Sequence, residues 1–292
     1  MANPFNTDLD RNPANFQPLT PLTFLERAAS VMPEHVAIIH GALRYTYAEF
    51  YARSRQLASA LAGQGMGRGD TVSALLPNVP PMLEAHHGVP MCGAVLHAIN
   101  TRLDANTIAF QLDHAGSRIL IVDSEWMPLA REALELTEVD PVLIVYSDPQ
   151  APNENGGLAD EIDYEVFLGR GDPDYEWLMP EDEWDAISIG YTSGTTGNPK
   201  GVVSHHRGAY LLAQGNALIA NMPRHATYLW TLPMFHCNGW CFPWTMSVAF
   251  GTHVCLRQVR SEPIWRALAE HRVTHLCGAP PVMSLLVATE PE

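Results

Sequence analysis

The sequence predicts a layered α/β protein, and three observations carry that reading. Short apolar runs (Ile119–Val122, Val142–Tyr146, Ala186–Tyr191 and His253–Leu256) recur between helical patterns. Runs apolar on both faces suit parallel strands covered by helices on each side. Helix-start signatures alternate with these runs, as an α/β order requires. The 292 residues, 47% hydrophobic and 17% charged, supply core for about two domains and argue against disorder.

The elements follow in order. Thr23-Phe-Leu-Glu26 reads as a capping box opening a first helix, and Thr46-Tyr-Ala-Glu49 repeats that signature. The second helix has an apolar face of Phe50, Leu57, Ala58 and Leu61 and runs out at glycines 63, 65 and 67. Val36–Thr46 is expected to be a hairpin around Gly41. Thr71–Leu76 reads as a strand stopped by Pro77, Tyr228–Thr231 and Thr274–Cys277 read as later strands, and Pro280–Ala288 as a helix.

Glu154 to Asp185 holds 12 acidic residues against one basic residue, Arg170. The stretch reads as a solvated acidic linker. It divides the chain into a first α/β subdomain at 1–150, the linker at 151–185 and a second α/β subdomain beginning at 186.

Charge and cysteines exclude several classes. Seventeen basic residues against 32 acidic ones give a formal charge of −15, with no Lys/Arg run, so a nucleic-acid partner is not expected. Met1–Arg11 has no apolar segment for export, and Trp240–Leu256 is too interrupted to span a membrane. Five cysteines without a Cys-x-x-Cys pair point to a reduced, cytoplasmic setting.

The chemistry concentrates in Ala186-Ile-Ser-Ile-Gly-Tyr-Thr-Ser-Gly-Thr-Thr-Gly-Asn-Pro-Lys200-Gly-Val-Val. An apolar strand runs into a loop of small residues. Gly194 and Gly197 let backbone N–H groups approach an anion, and Thr192, Ser193, Thr195 and Thr196 add rotatable donors. Asn198-Pro199 is a turn signal that brings Lys200 back toward the loop. Every element suits polyphosphate. A Walker A loop is disfavoured, because Gly201 follows the lysine where that motif needs Ser or Thr. Lys200 is the only lysine in the chain, the other 16 basic residues being arginine.

Tyr191-Thr-Ser-Gly-Thr-Thr-Gly-Asn-Pro-Lys-Gly-Val202 resembles the signature loop of the adenylate-forming superfamily. The resemblance covers nearly the whole chain. Leu43–Glu49 is similar to an early strand-to-helix segment of that family, Asn100-Thr-Arg-Leu103 to a segment of its acyl-CoA synthetase branch, and Leu232-Pro-Met-Phe-His-Cys-Asn-Gly-Trp240 to its acyl-site motif. The resemblance implies the layered α/β/α subdomains of the family's large N-terminal domain. It also implies a two-step reaction. A carboxylate attacks the α-phosphate of ATP, giving an acyl-adenylate and pyrophosphate, and a thiol, usually that of coenzyme A, then displaces AMP. ATP, magnesium, CoA and a small carboxylic acid are the implied ligands, and a second copy of the chain is a further candidate partner. Lys200 and His236 take catalytic roles, Thr192 lies near the magnesium ion, and 192–197 with Lys200 wrap the phosphates.

His236, Cys237 and Trp240 are the acid-site candidates. His236 would hydrogen-bond the carboxylate. Trp240, four residues on, would share a helix face with it and close an apolar tunnel, with Gly278–Pro281 as a candidate floor. His236, Cys237 and Cys241 lack a structural zinc spacing. His205 and His206 read as part of a helix start near Ser204. Later family motifs have no match: no aromatic-Gly-x-Thr-Glu, no Thr-Gly-Asp, and no lysine after Lys200. The chain is therefore expected to be the truncated front part of a longer acid–thiol ligase acting on a short- or medium-chain or thioether acid. Two alternatives stand beside this: another adenylating ligase, for an amino acid or a carrier protein, and a shortened non-catalytic nucleotide-binding module.

Overall fold

The computed structural model describes residues 3, 5, 7–151, 161–192 and 198–288. In chain order the strands are β1 (Val36–His40), β2 (Leu43–Thr46), β3 (Thr71–Leu75), β4 (Val95–Ala98), β5 (Ser117–Asp123), β6 (Val142–Tyr146), β7 (Ile162–Asp163), β8 (Ala186–Thr192), β9 (Lys200–His205), β10 (Thr227–Leu229), β11 (Thr252–Val254) and β12 (His275–Leu276). They form a seven-stranded sheet, β7-β6-β5-β3-β4-β8-β9, and a five-stranded sheet, β12-β10-β11-β1-β2. Each is parallel except at one edge, where β9 and β2 run antiparallel to their neighbours. All four doubly apolar runs lie in or overlap strands, and the hairpin turns at Gly41, whose φ of +56° favours glycine.

Helices Tyr47–Gly63 and Pro80–Met91 sit in a core shared by both sheets, with Phe50, Leu57 and Leu61 meeting Ile38 and Tyr228 on one side and Val72, Leu96 and Ile121 on the other. Helices Ala105–Ala115 and Met127–Leu134 cover the far face of the larger sheet. Ser261–His271 covers the far face of the smaller one. The result is a layered α/β stack. Every residue of Pro80–Met91 is buried, so that helix carries no polar stripe for a periodicity reading to find.

The capping box at Thr46 forms, with Glu49 N donating to the Thr46 hydroxyl and Thr46 N to the Glu49 carboxylate. The one expected at Thr23 does not. Pro21 already has helical φ and starts the helix at Leu22, so Thr23 falls inside the first turn and donates back to the Thr20 carbonyl.

The acidic linker is corrected as well. Residues 161–185 pack onto the larger sheet: β7 extends it beside β6, Tyr164 and Phe167 are fully buried, and Leu178 N donates to Met91 O. Several of the acids pair with arginines, among them Glu165 with Arg53, Asp174 with Arg55, Glu181 with Arg68 and Glu183 with Arg207, while most of the segment's carboxylates stay exposed to solvent. Strand β8 joins β4 in the larger sheet, so the boundary at 186 falls inside that sheet, while the smaller sheet combines β1–β2 with β10–β12.

One buried cation ties the sheets together. Arg257, just beyond β11, donates to Asp123 at the end of β5 (2.7 Å), to Asp148 beyond β6 (2.8 Å) and to Glu125 (2.6 Å). His40, at the end of β1, contacts the same Asp148 at 3.0 Å. Burial favours the protonated form of Asp148, but the His40 contact, the bond from Gln150 N and the Arg257 charge outweigh it and hold its carboxyl below the usual range. Removing one partner of a buried pair strands the other charges. Arg257→Met should therefore lower unfolding stability by about 3–5 kcal/mol. Arg118→Ala, which breaks an exposed pair with Asp70, should cost about 0–1 kcal/mol. Urea unfolding of both variants checks the contrast.

Five of the buried histidines among the described residues set the acid limit of the fold. Burial pushes His86, His97 and His206 down to about 4, and His87 and His253 down to about 3. The unfolded chain then binds more protons than the folded one below the ordinary histidine value, so stability is complete above about 6.5 and falls as pH drops toward 4. Each ring contributes a slope of about 1.4 kcal/mol per pH unit within that window. Urea midpoints between pH 7.5 and 5 should fall steadily from about 6.5 downward; a flat profile would mean that the rings are not buried as neutral groups.

Candidate active site

Strand β8 leaves the larger sheet at the carboxyl edge, where ligands bind in open α/β sheets. Its hairpin with β9 pairs Gly190 with Val202, Tyr191 with Gly201 and Thr192 with Lys200. Lys200 thus lies directly across from Thr192, and both are exposed at the mouth of the turn. Ser193, Gly194, Thr195, Thr196 and Gly197 lie outside the described residues. Gly201 lies against Ile189: a Cβ there would sit 2.8 Å from Ile189 Cδ1, so a larger residue would have to push that side-chain end aside.

Alternation along β8 gives its end two working faces. Tyr191 turns toward helix Ala105–Ala115, packing edge-on to His97 and hydrogen-bonding through its hydroxyl to His114 Nδ1 at 2.8 Å. Gly190 faces the other way, where a Cβ would lie 3.2 Å from Asn238 Oδ1. Thr192 shares that face by register. The phosphate-loop strand and the acid-site motif therefore touch at Gly190 and Asn238.

The acid-site motif is reached from the smaller sheet. Beyond β10, Trp230 is buried and Asn78 clamps the chain: its Nδ2 donates to Trp230 O (2.8 Å) and Leu232 O (3.0 Å), and its Oδ1 accepts from Met234 N (2.8 Å). Asn78 lies beyond the carboxyl end of β3, so one side chain joins the two sheets beside the site. Sequence reasoning missed it, along with His114 and Asn238. Their partners are distant in sequence, and only a lone polar residue in an apolar context (Asn78 after Leu75-Leu-Pro77) hinted at one of them.

The expected right-handed helix face for His236 and Trp240 is corrected. Cys237 to Cys241 all have positive φ, between 43° and 62°. Left-handed backbone costs roughly 1–2 kcal/mol per non-glycine residue, and four of these five are not glycine. The turn persists because its surroundings hold it: Asn216 Nδ2 donates to Trp240 O at 2.7 Å, and Gly239 is packed against Trp230. His236 and Cys237 are exposed and Trp240 is 52% exposed, while Asn238 and Gly239 are buried beneath them. Burial pushes the Cys241 thiol up to about 12, which leaves it unreactive. Thr231 donates to Cys277 O at 2.7 Å, which brings the start of Gly278–Pro281 alongside this segment.

Two other expectations resolve structurally. His205 caps helix His206–Ile219 by accepting from Gly208 N at 2.9 Å, and His206 is buried against Thr20. Asn100–Leu103 leaves β4 next to β8, its Asn100 side chain accepting from Arg102 N and its Thr101 carbonyl from Trp126 Nε1. No three His, Cys, Asp or Glu side chains among the described residues are grouped to hold a metal. A magnesium ion bound with substrate phosphates needs only one or two protein oxygens, which the exposed Thr192 hydroxyl fits.

The fold is thus a doubly layered parallel α/β stack in which an antiparallel hairpin returns Lys200 to the end of a parallel strand, opposite Thr192. The model of the AMP-binding enzyme family matches residues 25–292, and the chain belongs to that family. It is 51% identical over 290 residues to a peroxisomal acetate/butyrate–CoA ligase of Arabidopsis thaliana, covering 96% of this chain and 51% of that protein. It is 48% identical over 295 residues to an acetate–CoA ligase of Humulus lupulus, covering 98% and 52% respectively. The solved o-succinylbenzoate coenzyme A synthetase of Bacillus subtilis, in complex with AMP, superposes with a TM-score of 0.75 at 25% identity over 93% of this chain and 50% of that one. The chain thus spans about half the length of the relatives it matches.

Proposed function

We propose that this chain supplies the ATP- and acid-binding part of an AMP-forming acid–CoA ligase. The observation that carries the reading is the pairing of Thr192 with Lys200 at the hairpin mouth, on a strand whose neighbouring Gly190 receives the His236–Cys241 turn. Phosphate grip and acid grip converge on one strand end.

The chemistry asks for positioning and charge stabilisation more than for covalent help. A carboxylate attacking a polyphosphate brings anion to anion, so the barrier falls when donors hold the phosphates and the acid in line. In this reading, residues 192–197 wrap the β- and γ-phosphates, and Lys200 offsets the charge that builds on departing pyrophosphate. A magnesium ion, held by the phosphates and the Thr192 hydroxyl, would neutralise further charge when bound. His236 donates to the acid's carboxylate, Cys237 lines the approach beside it, and Trp240 bounds the acyl tail. The relatives' names, acetate and butyrate among them, support a short acid. An uncharged tail also fits a segment that offers no carboxylate to a substrate ammonium. The cytoplasmic setting remains part of the proposal, although several relatives are named peroxisomal; a fluorescent fusion of the full-length protein decides it.

Lys200→Ala in the full-length protein should slow acid-dependent pyrophosphate release by roughly 10²–10³, the usual loss for one charge-stabilising donor. Being exposed, it should change stability by only about 0.5 kcal/mol. An unchanged rate would make Lys200 a bystander and sink the proposed grip.

Trp240 and His236 should fail differently. Across a homologous acid series, Trp240→Ala should redistribute kcat/KM among chain lengths, by up to about 1–3 kcal/mol per methylene. His236→Ala should lower every acid by a similar factor, because the carboxylate is common to all. Parallel losses for Trp240→Ala would reduce it to a packing residue.

A further inference from the structure

We infer that Asn238 is a substrate-contacting residue whose side-chain amide donates a hydrogen bond to the acid's carboxylate once the left-handed turn Cys237–Cys241 opens. Two independent observations carry this, and it rests on the acid-activating function proposed above. Asn238 is only 5% exposed, yet its Nδ2 has no hydrogen-bond partner among the described residues. Buried amide donors are almost always paired, and an unpaired one is held at a cost that the rest of the structure must offset. The same residue sits inside five consecutive positive-φ residues, including Trp240 and two cysteines, which are poorly suited to that conformation. Strain and an orphan donor therefore coincide at one position.

The location says what the donor is for. Asn238 lies between the exposed His236 and Trp240, and against the face of β8 that carries Gly190 and Thr192. In the proposed open turn the amide reaches the space between His236, Trp240 and the end of β8, where a carboxylate oxygen is its natural acceptor. A neutral donor suits that place. It holds the carboxylate without the strong pairing that a second cation would impose on the attacking oxygen.

The test uses the full-length protein with acetate or butyrate, ATP and magnesium, and reads thermal midpoint and pyrophosphate release together. Asn238→Gly removes the unpaired donor and suits positive φ. It should leave the midpoint unchanged or raise it, while slowing adenylation of every acid by roughly 10²-fold. Asn238→Ser, which keeps a short donor, should recover part of that rate. A residue that merely packs the turn would do the opposite, lowering the midpoint and sparing the rate. Adenylation by Asn238→Gly within about twofold of the parent overturns the inference whatever the midpoint does, and so does a serine variant no faster than the glycine one. Lys200→Ala, run in parallel, separates the two readings: its loss of adenylation beside an unaffected Asn238→Gly would leave the ligase function standing and remove only this role.

Discussion

The whole arrangement hangs on one buried guanidinium. Arg257 joins the carboxyl ends of β5 and of the segment beyond β6 in the larger sheet to the end of β11 in the smaller, with His40 at the end of β1 closing the cluster on Asp148. A charge taken out of water persists only when it is surrounded by partners, so the geometry of Asp123, Asp148 and Glu125 dictates where β11 ends. That in turn aligns the carboxyl edges of the two sheets. Asn78 repeats the tie in neutral form a short way along, gripping three backbone groups between Trp230 and Met234. Loops from different sheets can then meet in one place because their roots are tied to each other.

Against this rigid base, the two motifs behave differently. The hairpin end is defined by regular strand pairing, which brings Lys200 opposite Thr192 without strain. The turn Cys237–Cys241 is held in a costly left-handed conformation by Asn216 and by the packing of Gly239 against Trp230. Under the proposed function, one regular wall and one strained wall suit a reaction that first admits an acid and then excludes water. Charge distribution follows the same division. Among the described residues, many arginines pair with the acidic surface, whereas Lys200 makes no ion pair and remains available to a ligand at the hairpin mouth.

Much of the fold was legible because its signals are local. Apolar runs such as Val142–Tyr146 marked parallel strands, and Thr46 and Glu49 marked a helix start. What stayed hidden depends on partners distant in sequence. Pro80–Met91 is buried on every side and so shows no helical stripe. The acidic stretch looked wholly solvated because its arginine partners Arg53 and Arg55 lie more than a hundred residues earlier in the chain. Four-residue spacing suggested that His236 and Trp240 share a helix face, but spacing carries no information about the hand of the backbone, and here that hand is left. His114 was invisible for the same reason as Arg257, and Asn78 was only hinted at: their roles exist only after the sheets have come together.

The central claim is that the hairpin mouth and the left-handed turn form a single site for ATP and an acid. Hydrogen–deuterium exchange of the full-length protein, with and without magnesium-ATP and a short carboxylic acid, tests it most directly. The account predicts that peptides spanning 192–200 and 236–241 both become protected, and that protection of the second needs the acid as well as the nucleotide. Protection of one segment with no change in the other, under saturating ligands, would contradict it.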